Sequence, residues 1–170
     1  MKKDIKPARE KTKNYYMRAA LRAADKAEND GEVPVGAVVV YAGRIIASGR
    51  NRREKGKNAL YHAELEAINK ACKKLGGWRL FDCDLYVTLE PCPMCAGAII
   101  NSRIRNVYIG AADKKAGCFG SVIDMNEIPF NHKPNIEFGI LEKECSERLS
   151  DFFAKIREKR QKNTKKCVQN

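Results

Sequence analysis

Apolar residues recur along this chain with two different periods, one typical of helices and one typical of buried strands. Over residues 13–30 they recur every three to four positions and stop at Asn29-Asp30-Gly31, which predicts an amphipathic helix. Residues 63–75 show the same spacing up to Gly76-Gly77, and a third helical stripe begins near Leu141. Each of these three segments has one apolar face that needs a partner layer.

Short runs rich in β-branched residues alternate with the helical segments. The predicted strands are Val35–Tyr41, Arg44–Ser48, Asp84–Leu89, Asn106–Ala111 and Ile136–Gly139. Ala42-Gly43 joins the first two as a hairpin, and Pro91 predicts the start of a helix that ends near Ser102. Asn51–Asn58 and Asp113–Pro134 are predicted loops. Strands that alternate with helices after an opening hairpin predict an α/β domain with parallel later strands.

Composition indicates the class of protein. A chain of 170 residues with 44% hydrophobic and 32% charged residues is expected to form one globular domain. No apolar run approaches the ~18 residues that span a bilayer, and no apolar segment of a secretory signal follows Met1. The odd count of seven cysteines then favours free thiols or a metal site in a reducing cytoplasm over a disulfide framework.

The net charge of +12 is concentrated at the two ends of the chain. Residues 1–13 hold six Lys/Arg against two acidic residues, and residues 155–166 hold seven against one. A nearly neutral body with basic ends indicates a polyanionic partner such as nucleic acid, although solubilising termini would give the same pattern. We predict a basic N-terminal extension over 1–12, a single domain over 13–160 and a basic, disordered tail over 161–170.

Candidate chemistry lies in two short segments, His62-Ala63-Glu64 and Pro91–Cys95. The pair Cys92 and Cys95 alone would also suit a redox dithiol or half of a zinc ribbon. A ribbon needs a second Cys-x-x-Cys, which the chain lacks, and a redox dithiol leaves His62 and Glu64 without a role. Together the two segments match H-x-E…P-C-x-x-C, the signature of zinc-dependent deaminases.

This signature has a physical basis. Cys92 and Cys95 are three residues apart and share a helix surface, and a helix N-terminus favours their thiolates. With His62 they supply three zinc ligands and leave the fourth position for water, as in catalytic zinc sites. Glu64 then transfers protons between water, the substrate ring and the leaving ammonia. Residues two apart share no helix face, so His62 must lie at the start of its helix.

The sequence resembles the bacterial tRNA-specific adenosine deaminases from the first helix to about Arg160. The stretches that carry the resemblance are Glu32–Ala37, Asn51-Arg52, His62–Glu64, Thr88–Ala98 and Ser150–Phe153. The resemblance implies a cytidine-deaminase-like three-layer α/β/α fold with a five-stranded mixed sheet, a homodimer and one Zn²⁺ per subunit. It also implies hydrolytic conversion of adenosine to inosine at the wobble position of a tRNA anticodon, with an arginine tRNA as the substrate.

The same resemblance implies a set of substrate contacts. Asn51 is expected to bind the flipped-out base or its ribose, and Ala63 to offer backbone contacts. Asp113 matches a loop acid near the anticodon sugar, and Phe152 matches an aromatic residue near the anticodon. Phe152 and Phe153 are adjacent, so one of the two is expected to be buried.

Three further features remain outside the zinc signature. Phe119 departs from the resemblance because it is bulkier than the small residue expected there. His132 is expected to be a surface or locally hydrogen-bonded histidine and not a zinc ligand, with a contact to RNA as the alternative. The basic residues predicted to contact the RNA backbone are Lys155, Arg157, Lys159 and Arg160.

Two alternative functions stay open at the level of the sequence. A deaminase of a free base such as guanine or cytosine would carry the same zinc signature. A non-catalytic zinc or RNA-binding module would supply a fourth ligand in place of Glu64, which argues against it. The basic ends favour RNA over a free base, because a small neutral base needs no polycationic surface.

Overall fold

The computed structural model describes residues 11–168, with side chains described up to residue 162. The helices are α1 (Lys13–Asn29), α2 (Arg53–Gly56), α3 (Ala63–Leu75), α4 (Pro93–Ser102) and α5 (Glu142–Val168). The strands are β1 (Gly36–Tyr41), β2 (Arg44–Arg50), β3 (Cys83–Leu89), β4 (Asn106–Ala111) and β5 (Asn135–Glu137). Within this described part of the chain, no helix has both the length and the apolar composition needed to cross a membrane.

The five strands form one mixed sheet in the order β2-β1-β3-β4-β5. β1 is antiparallel to both β2 and β3, whereas β3, β4 and β5 run parallel to one another. The predicted opening hairpin and parallel later strands are therefore confirmed. A parallel pair needs a crossover connection, and α4 provides it between β3 and β4.

Helices cover both faces of this sheet. Val38 and Val40 of β1 share a core cluster with Tyr16 of α1 and Cys145 of α5. The intervening side chains of β1 belong to a second cluster, which contains residues of α3 and α4. Because side chains alternate between the faces of a strand, the continuous apolar run of β1 fits a strand covered on both sides. The predicted three-layer α/β/α architecture is confirmed.

Two glycines let helices approach the sheet closely. A Cβ atom on Gly36 of β1 would collide with the backbone of α1 at Ala20 and Ala24. A Cβ atom on Gly49 of β2 would collide with the carbonyl oxygen of Ala63, the first residue of α3. Gly49 therefore sets how near the N-terminus of α3 lies to the sheet.

Two of the predicted element boundaries differ from the structure. The predicted loop Asn51–Asn58 contains the one-turn helix α2. α4 begins at Pro93 and not at Pro91, because Cys92 has the extended backbone of an N-cap residue, with φ −73° and ψ 173°. Pro93 thus occupies the first-turn position that was assigned to Pro91.

The domain boundaries also differ at the C-terminal end. α5 continues to Val168, so the described part of the predicted disordered tail over 161–170 continues this helix. Lysine, arginine and glutamine have high helix propensity, which lets an exposed polar helix extend beyond the body of the domain. The predicted N-terminal extension over 1–12 lies, apart from residues 11 and 12, outside the described residues.

Two residues of the long loop between β4 and β5 have structural roles. Phe119 is buried in the core cluster on the α3 and α4 side, so this face accommodates the bulkier side chain. His132 Nε2 lies 2.7 Å from the carbonyl oxygen of Ile104. His132 is therefore hydrogen-bonded as expected, but to a residue 28 positions away along the chain and not locally.

Candidate active site

Two helix N-termini bring the predicted metal ligands together. His62 is the N-cap residue of α3 and Cys92 is the N-cap residue of α4, and both have extended backbone angles. Cys95 lies in the first turn of α4. Because α3 and α4 pack on the same face of the sheet, the ligands meet beyond the carboxyl end of β3.

The three donor atoms are spaced to hold one ion. His62 Nδ1 is 3.7 Å from Cys92 Sγ and 3.5 Å from Cys95 Sγ. All three donors lie within 4.8 Å of one another. Zinc binds nitrogen at about 2.0 Å and sulfur at about 2.3 Å, which at a tetrahedral angle separates the two donors by about 3.5 Å. The donor set and its spacing fit zinc.

Hydrogen bonding within the cluster favours a thiolate at Cys92. The pKa of Cys92 is lowered to about 4, mainly by the hydrogen bond that its sulfur makes with the Cys95 thiol. The hydrogen bond with His62 lowers the pKa further. The hydrogen bond to Cys92, together with burial, raises the pKa of Cys95. The pKa of His62 is raised by its hydrogen bond to Cys92. Since the thiolate is the form that ligates metal, the cluster suits a divalent cation.

Glu64 is the second residue of α3 and is 3% exposed. Its Oε2 atom has no hydrogen-bond partner among the described residues, and burial raises the pKa of its carboxyl group. His62 has an extended backbone at the start of α3, as predicted from its spacing to Glu64. The side chains of His62 and Glu64 can therefore converge although the two residues are only two positions apart. A buried carboxyl oxygen without a partner is costly, so its place beside three metal donors indicates a function.

A cavity of about 730 Å³ opens beside this cluster and is large enough to hold a nucleoside. His62, Glu64 and Cys92 line it. Its larger apolar lining residues are Val33, Val35, Leu89, Leu149 and Phe153. Its basic lining residues are Arg53, Lys114, Lys115 and Arg157. The cavity therefore combines an apolar wall, a metal-ligand cluster and four cationic side chains.

Three of the four predicted substrate contacts line this cavity: Asn51, Ala63 and Asp113. Asn51 is buried, and its amide nitrogen lies 3.4 Å from Oε2 of Glu32. Asp113 Oδ1 accepts a 2.9 Å hydrogen bond from the backbone N–H of Lys115, so one carboxylate oxygen supports the turn of its own loop. The structure thus brings these three residues together beside the metal ligands.

The fourth predicted contact, Phe152, is placed elsewhere. Phe152 is 7% exposed and is not among the residues that line the cavity, whereas Phe153 is 43% exposed and lines it. The prediction that one of the pair is buried is confirmed, and the ring on the cavity side is that of Phe153, while the substrate contact of Phe152 stays a prediction. The rotation of α5 against the sheet decides which ring is buried, and helical spacing alone does not give that rotation.

The predicted RNA-backbone residues occupy different surroundings. Arg157 lines the cavity. Lys155 Nζ lies 2.8 Å from Oε1 of Glu28 on α1. Lys159 and Arg160 are exposed further along α5. One predicted basic residue is therefore at the cavity, and the other three lie at other positions of the same helix.

The sequence analysis missed two buried glutamates near the cavity. Glu90 directly precedes Pro91 and lines the cavity, and Glu32 is 1% exposed and contacts Asn51. Both lie in the stretches that carry the family resemblance. The available signal was a charged residue beside a buried strand, because such a carboxylate needs dedicated hydrogen-bond donors.

The fold and the ligand cluster define a class of protein. A mixed sheet between helical layers, with one His and two Cys ligands at two helix N-termini beside a buried Glu, is the arrangement of zinc-dependent deaminases. Residues 10–111 match the cytidine and deoxycytidylate deaminase zinc-binding region.

Comparison with relatives narrows this class. The chain is 50% identical over 146 residues to a tRNA-specific adenosine deaminase of Bacillus subtilis (strain 168), covering 85% of this chain and 91% of the relative. It is 47% identical over 146 residues to a tRNA-specific adenosine deaminase of Aquifex aeolicus (strain VF5), covering 85% of this chain and 96% of that relative. The chain belongs to the family of the tRNA-specific adenosine deaminases, within the cytidine and deoxycytidylate deaminases.

Two solved structures are similar to this chain in fold and sequence. A structure from a study of A-to-I editing by tRNA:A34 deaminases at the wobble position has a TM-score of 0.78 and 43% identity, covering 81% of this chain and 100% of that chain. The structure of a guanine deaminase from Bacillus subtilis has a TM-score of 0.57 and 32% identity, covering 71% of this chain and 88% of that chain.

Proposed function

We propose that this protein is a zinc-dependent hydrolase that converts adenosine to inosine at the wobble position of a tRNA anticodon. The observation that carries the proposal is the buried Oε2 of Glu64, which has no hydrogen-bond partner among the described residues and lies beside three metal donors at a cavity large enough for a nucleoside. Membership of the tRNA-specific adenosine deaminase family supports tRNA as the substrate.

The reaction would use the side chains as follows. His62, Cys92 and Cys95 hold the zinc ion, which when bound supplies the Lewis acidity that makes water nucleophilic at neutral pH. Glu64 accepts a proton from the attacking water and delivers it to a ring nitrogen of adenine. It then takes the second proton of that water from the new hydroxyl group on the ring and passes it to the departing amine, so that adenosine and water give inosine and ammonia. Burial of Glu64 keeps bulk water from competing in these transfers.

Four residues of the cavity would orient the nucleotide. Asn51 hydrogen-bonds the base or its ribose, and the backbone of Ala63 contacts the base. Asp113 approaches the sugar from the loop after β4. Phe153 lines the cavity next to the predicted contact Phe152, and its partly exposed ring is available to stack on a splayed-out base.

Basic side chains would hold the phosphates that flank this nucleotide. Arg53, Lys114, Lys115 and Arg157 line the cavity from three different segments of the chain. Lys155, Lys159 and Arg160 extend positive charge along α5. A free neutral base would gain nothing from these cations, whereas an RNA backbone releases counterions when it binds them.

The partner and assembly proposals rest on the family resemblance. We propose an arginine tRNA as the substrate and a homodimer as the working form. A dimer is supported by α4, where Met94, Gly97 and Ala98 are partly exposed on a helix that is apolar nearly all round. A cytoplasmic location, where tRNA is found, is supported by the six cysteines of the described side chains, which are all free thiols.

The alternative, a deaminase of a free base, draws support from the similarity to the guanine deaminase structure.

Both proposals are tested by incubating the zinc-loaded protein with an arginine tRNA anticodon stem-loop that carries adenosine at the wobble position. Inosine is read as guanosine by reverse transcription and sequencing, and ammonia release is followed in parallel with guanine and cytosine. We expect conversion of the wobble adenosine, abolished in Glu64→Ala. Deamination of a free base with no conversion of the RNA would favour the alternative.

A further inference from the structure

A buried carboxylate links the metal-ligand segment to the loop that follows β4. Glu90 is 2% exposed and stands two residues before Cys92. Its Oε1 accepts hydrogen bonds from the backbone N–H groups of Phe119 (3.0 Å) and Ser121 (3.1 Å). Its Oε2 accepts from the backbone N–H of Asp113 (3.0 Å) and from the Ser121 hydroxyl. All four donors are neutral groups of one loop.

This loop, residues 113–121, forms one wall of the cavity through Asp113, Lys114 and Lys115. Glu90 binds the loop near its start and near its end, so a single side chain constrains both ends. A second tie lies beside it, where the backbone N–H of Cys118 donates a 3.0 Å hydrogen bond to the carbonyl oxygen of Pro91. The path of the loop is therefore fixed relative to the segment that carries the first cysteine ligand.

The packing around Glu90 leaves no space for a side chain at position 117, in the middle of the loop. A Cβ atom on Gly117 would collide with the Glu90 carboxyl group. Gly117 has no positive φ, so its backbone conformation is open to other residues and only this close approach excludes them. The absence of a side chain at Gly117 is thus an independent sign that the loop is fitted to the carboxylate.

We propose that Glu90 is a positioning residue that fixes loop 113–121 as the RNA-facing wall of the cavity, and that it controls substrate affinity with little effect on the chemical step. The inference rests on the proposed function, because the loop presents Asp113 and two lysines to the substrate. A carboxylate suits this task since its two oxygens accept four hydrogen bonds, whereas an amide presents one oxygen and two donors.

The variant Glu90→Gln separates these contacts. Its carbonyl oxygen can still accept from Phe119 and Ser121, and the Ser121 hydroxyl can rotate to accept from the new amide. The backbone N–H of Asp113 then faces another donor and has no acceptor. We expect KM for the anticodon stem-loop to rise about tenfold or more, with kcat within about threefold and zinc content unchanged.

A second readout follows the loop directly. Lys114 and Lys115 are exposed trypsin sites, and we expect faster cleavage after them in Glu90→Gln, identified by mass spectrometry of the fragments. Glu127→Gln removes the charge of an exposed glutamate further along the connection between β4 and β5 and is the matched control. It is expected to leave KM and cleavage unchanged.

Gly117→Ala tests the role of Glu90 without altering the carboxylate. If Glu90→Gln does not fold, the result for Gly117→Ala decides whether the inference holds. The added methyl group displaces the loop from Glu90, so the same rise in KM and in cleavage is expected. Unchanged KM and cleavage in the folded variants would overturn the inference, and so would a fall in kcat at constant KM. A wild-type protein that does not convert the RNA would instead overturn the proposed function, and the cleavage assay together with stem-loop binding would then decide the role of Glu90.

Discussion

The side-chain amide nitrogen of Asn51 lies 3.4 Å from Oε2 of Glu32, and both side chains are buried. The same carboxylate accepts a 2.7 Å hydrogen bond from the backbone N–H of Lys55 through Oε1 and a 3.3 Å hydrogen bond from that of Glu54 through Oε2. Glu32 therefore ties a residue of the cavity to α2, the short helix that begins at Arg53. One buried carboxylate thus contacts a polar side chain of the cavity and holds the backbone of α2, which begins with the cavity residue Arg53.

The first prediction concerns this contact. Glu32→Gln places an amide where the backbone N–H groups of α2 and the Asn51 amide all need an acceptor. Because hydrogen bonds to a charged group are worth about 1.5–3 kcal/mol, we expect the melting temperature to fall and KM for the stem-loop to rise about tenfold. Glu54→Gln, which alters an exposed glutamate of α2, is the control and should match the wild type in both measurements.

The second prediction separates metal binding from catalysis. Glu64→Ala removes a carboxyl group whose Oε2 has no described partner, so we expect an unchanged or higher melting temperature and full zinc content. Loss of the proton transfers should reduce kcat by about 10²–10⁴-fold. His62→Ala should instead lose zinc, measured by atomic emission. The assigned role of Glu64 would be wrong if its variant lost zinc or kept its activity.

The third prediction concerns the close approach of α3 to β2. Gly49→Ala inserts a methyl group against the carbonyl oxygen of Ala63, next to His62. Overpacking of this kind costs about 1–3 kcal/mol, and in a protein of this size each kcal/mol lowers the melting temperature by about 2–4 °C. We also expect weaker zinc retention against a chelator. Gly77→Ala has open space around the added methyl group and should change neither quantity.

The fourth prediction concerns the cations of α5. Arg157→Gln combined with Lys159→Gln should weaken stem-loop binding and make it less dependent on salt. The slope of log affinity against log salt should fall by about 0.7 for each phosphate of single-stranded RNA that the variant no longer neutralises. Fluorescence anisotropy over a potassium chloride series measures both effects. Lys143→Gln removes an exposed lysine near the start of the same helix, where it is 3.8 Å from Glu147, and should leave the slope unchanged.

The fifth prediction concerns assembly through α4. A Cβ atom on Gly97 meets nothing within 4 Å in the described chain, so Gly97→Arg should be tolerated by a single subunit. We expect light scattering to give a dimer mass for the wild type and a monomer mass for this variant. Gly77→Arg adds the same side chain at another open position and should remain dimeric. A wild-type monomer at micromolar concentration would contradict the proposed homodimer.

Much of the fold was accessible from local patterns. The ends of α1 and α3 coincide with Asn29 and Leu75, because Asp30-Gly31 and Gly76 stop a helix through short-range backbone preferences. The ligand set was also accessible, since His62, Cys92 and Cys95 are recognised by side-chain chemistry and spacing. These properties are encoded within a few residues of chain.

The remaining features depend on contacts between distant segments. Helical spacing marks Phe152 and Phe153 as neighbours, but packing of α5 on the sheet decides that Phe152 is buried and Phe153 lines the cavity. In the same way, the partners of Glu90 lie more than twenty residues away along the chain, at Asp113 and Ser121. The sequence by itself determined which elements form and which side chains can bind zinc, because both follow from local period and chemistry. Only the tertiary structure decided which groups face the cavity and what holds them there, because the rotation of a helix and the path of a loop are set by long-range packing.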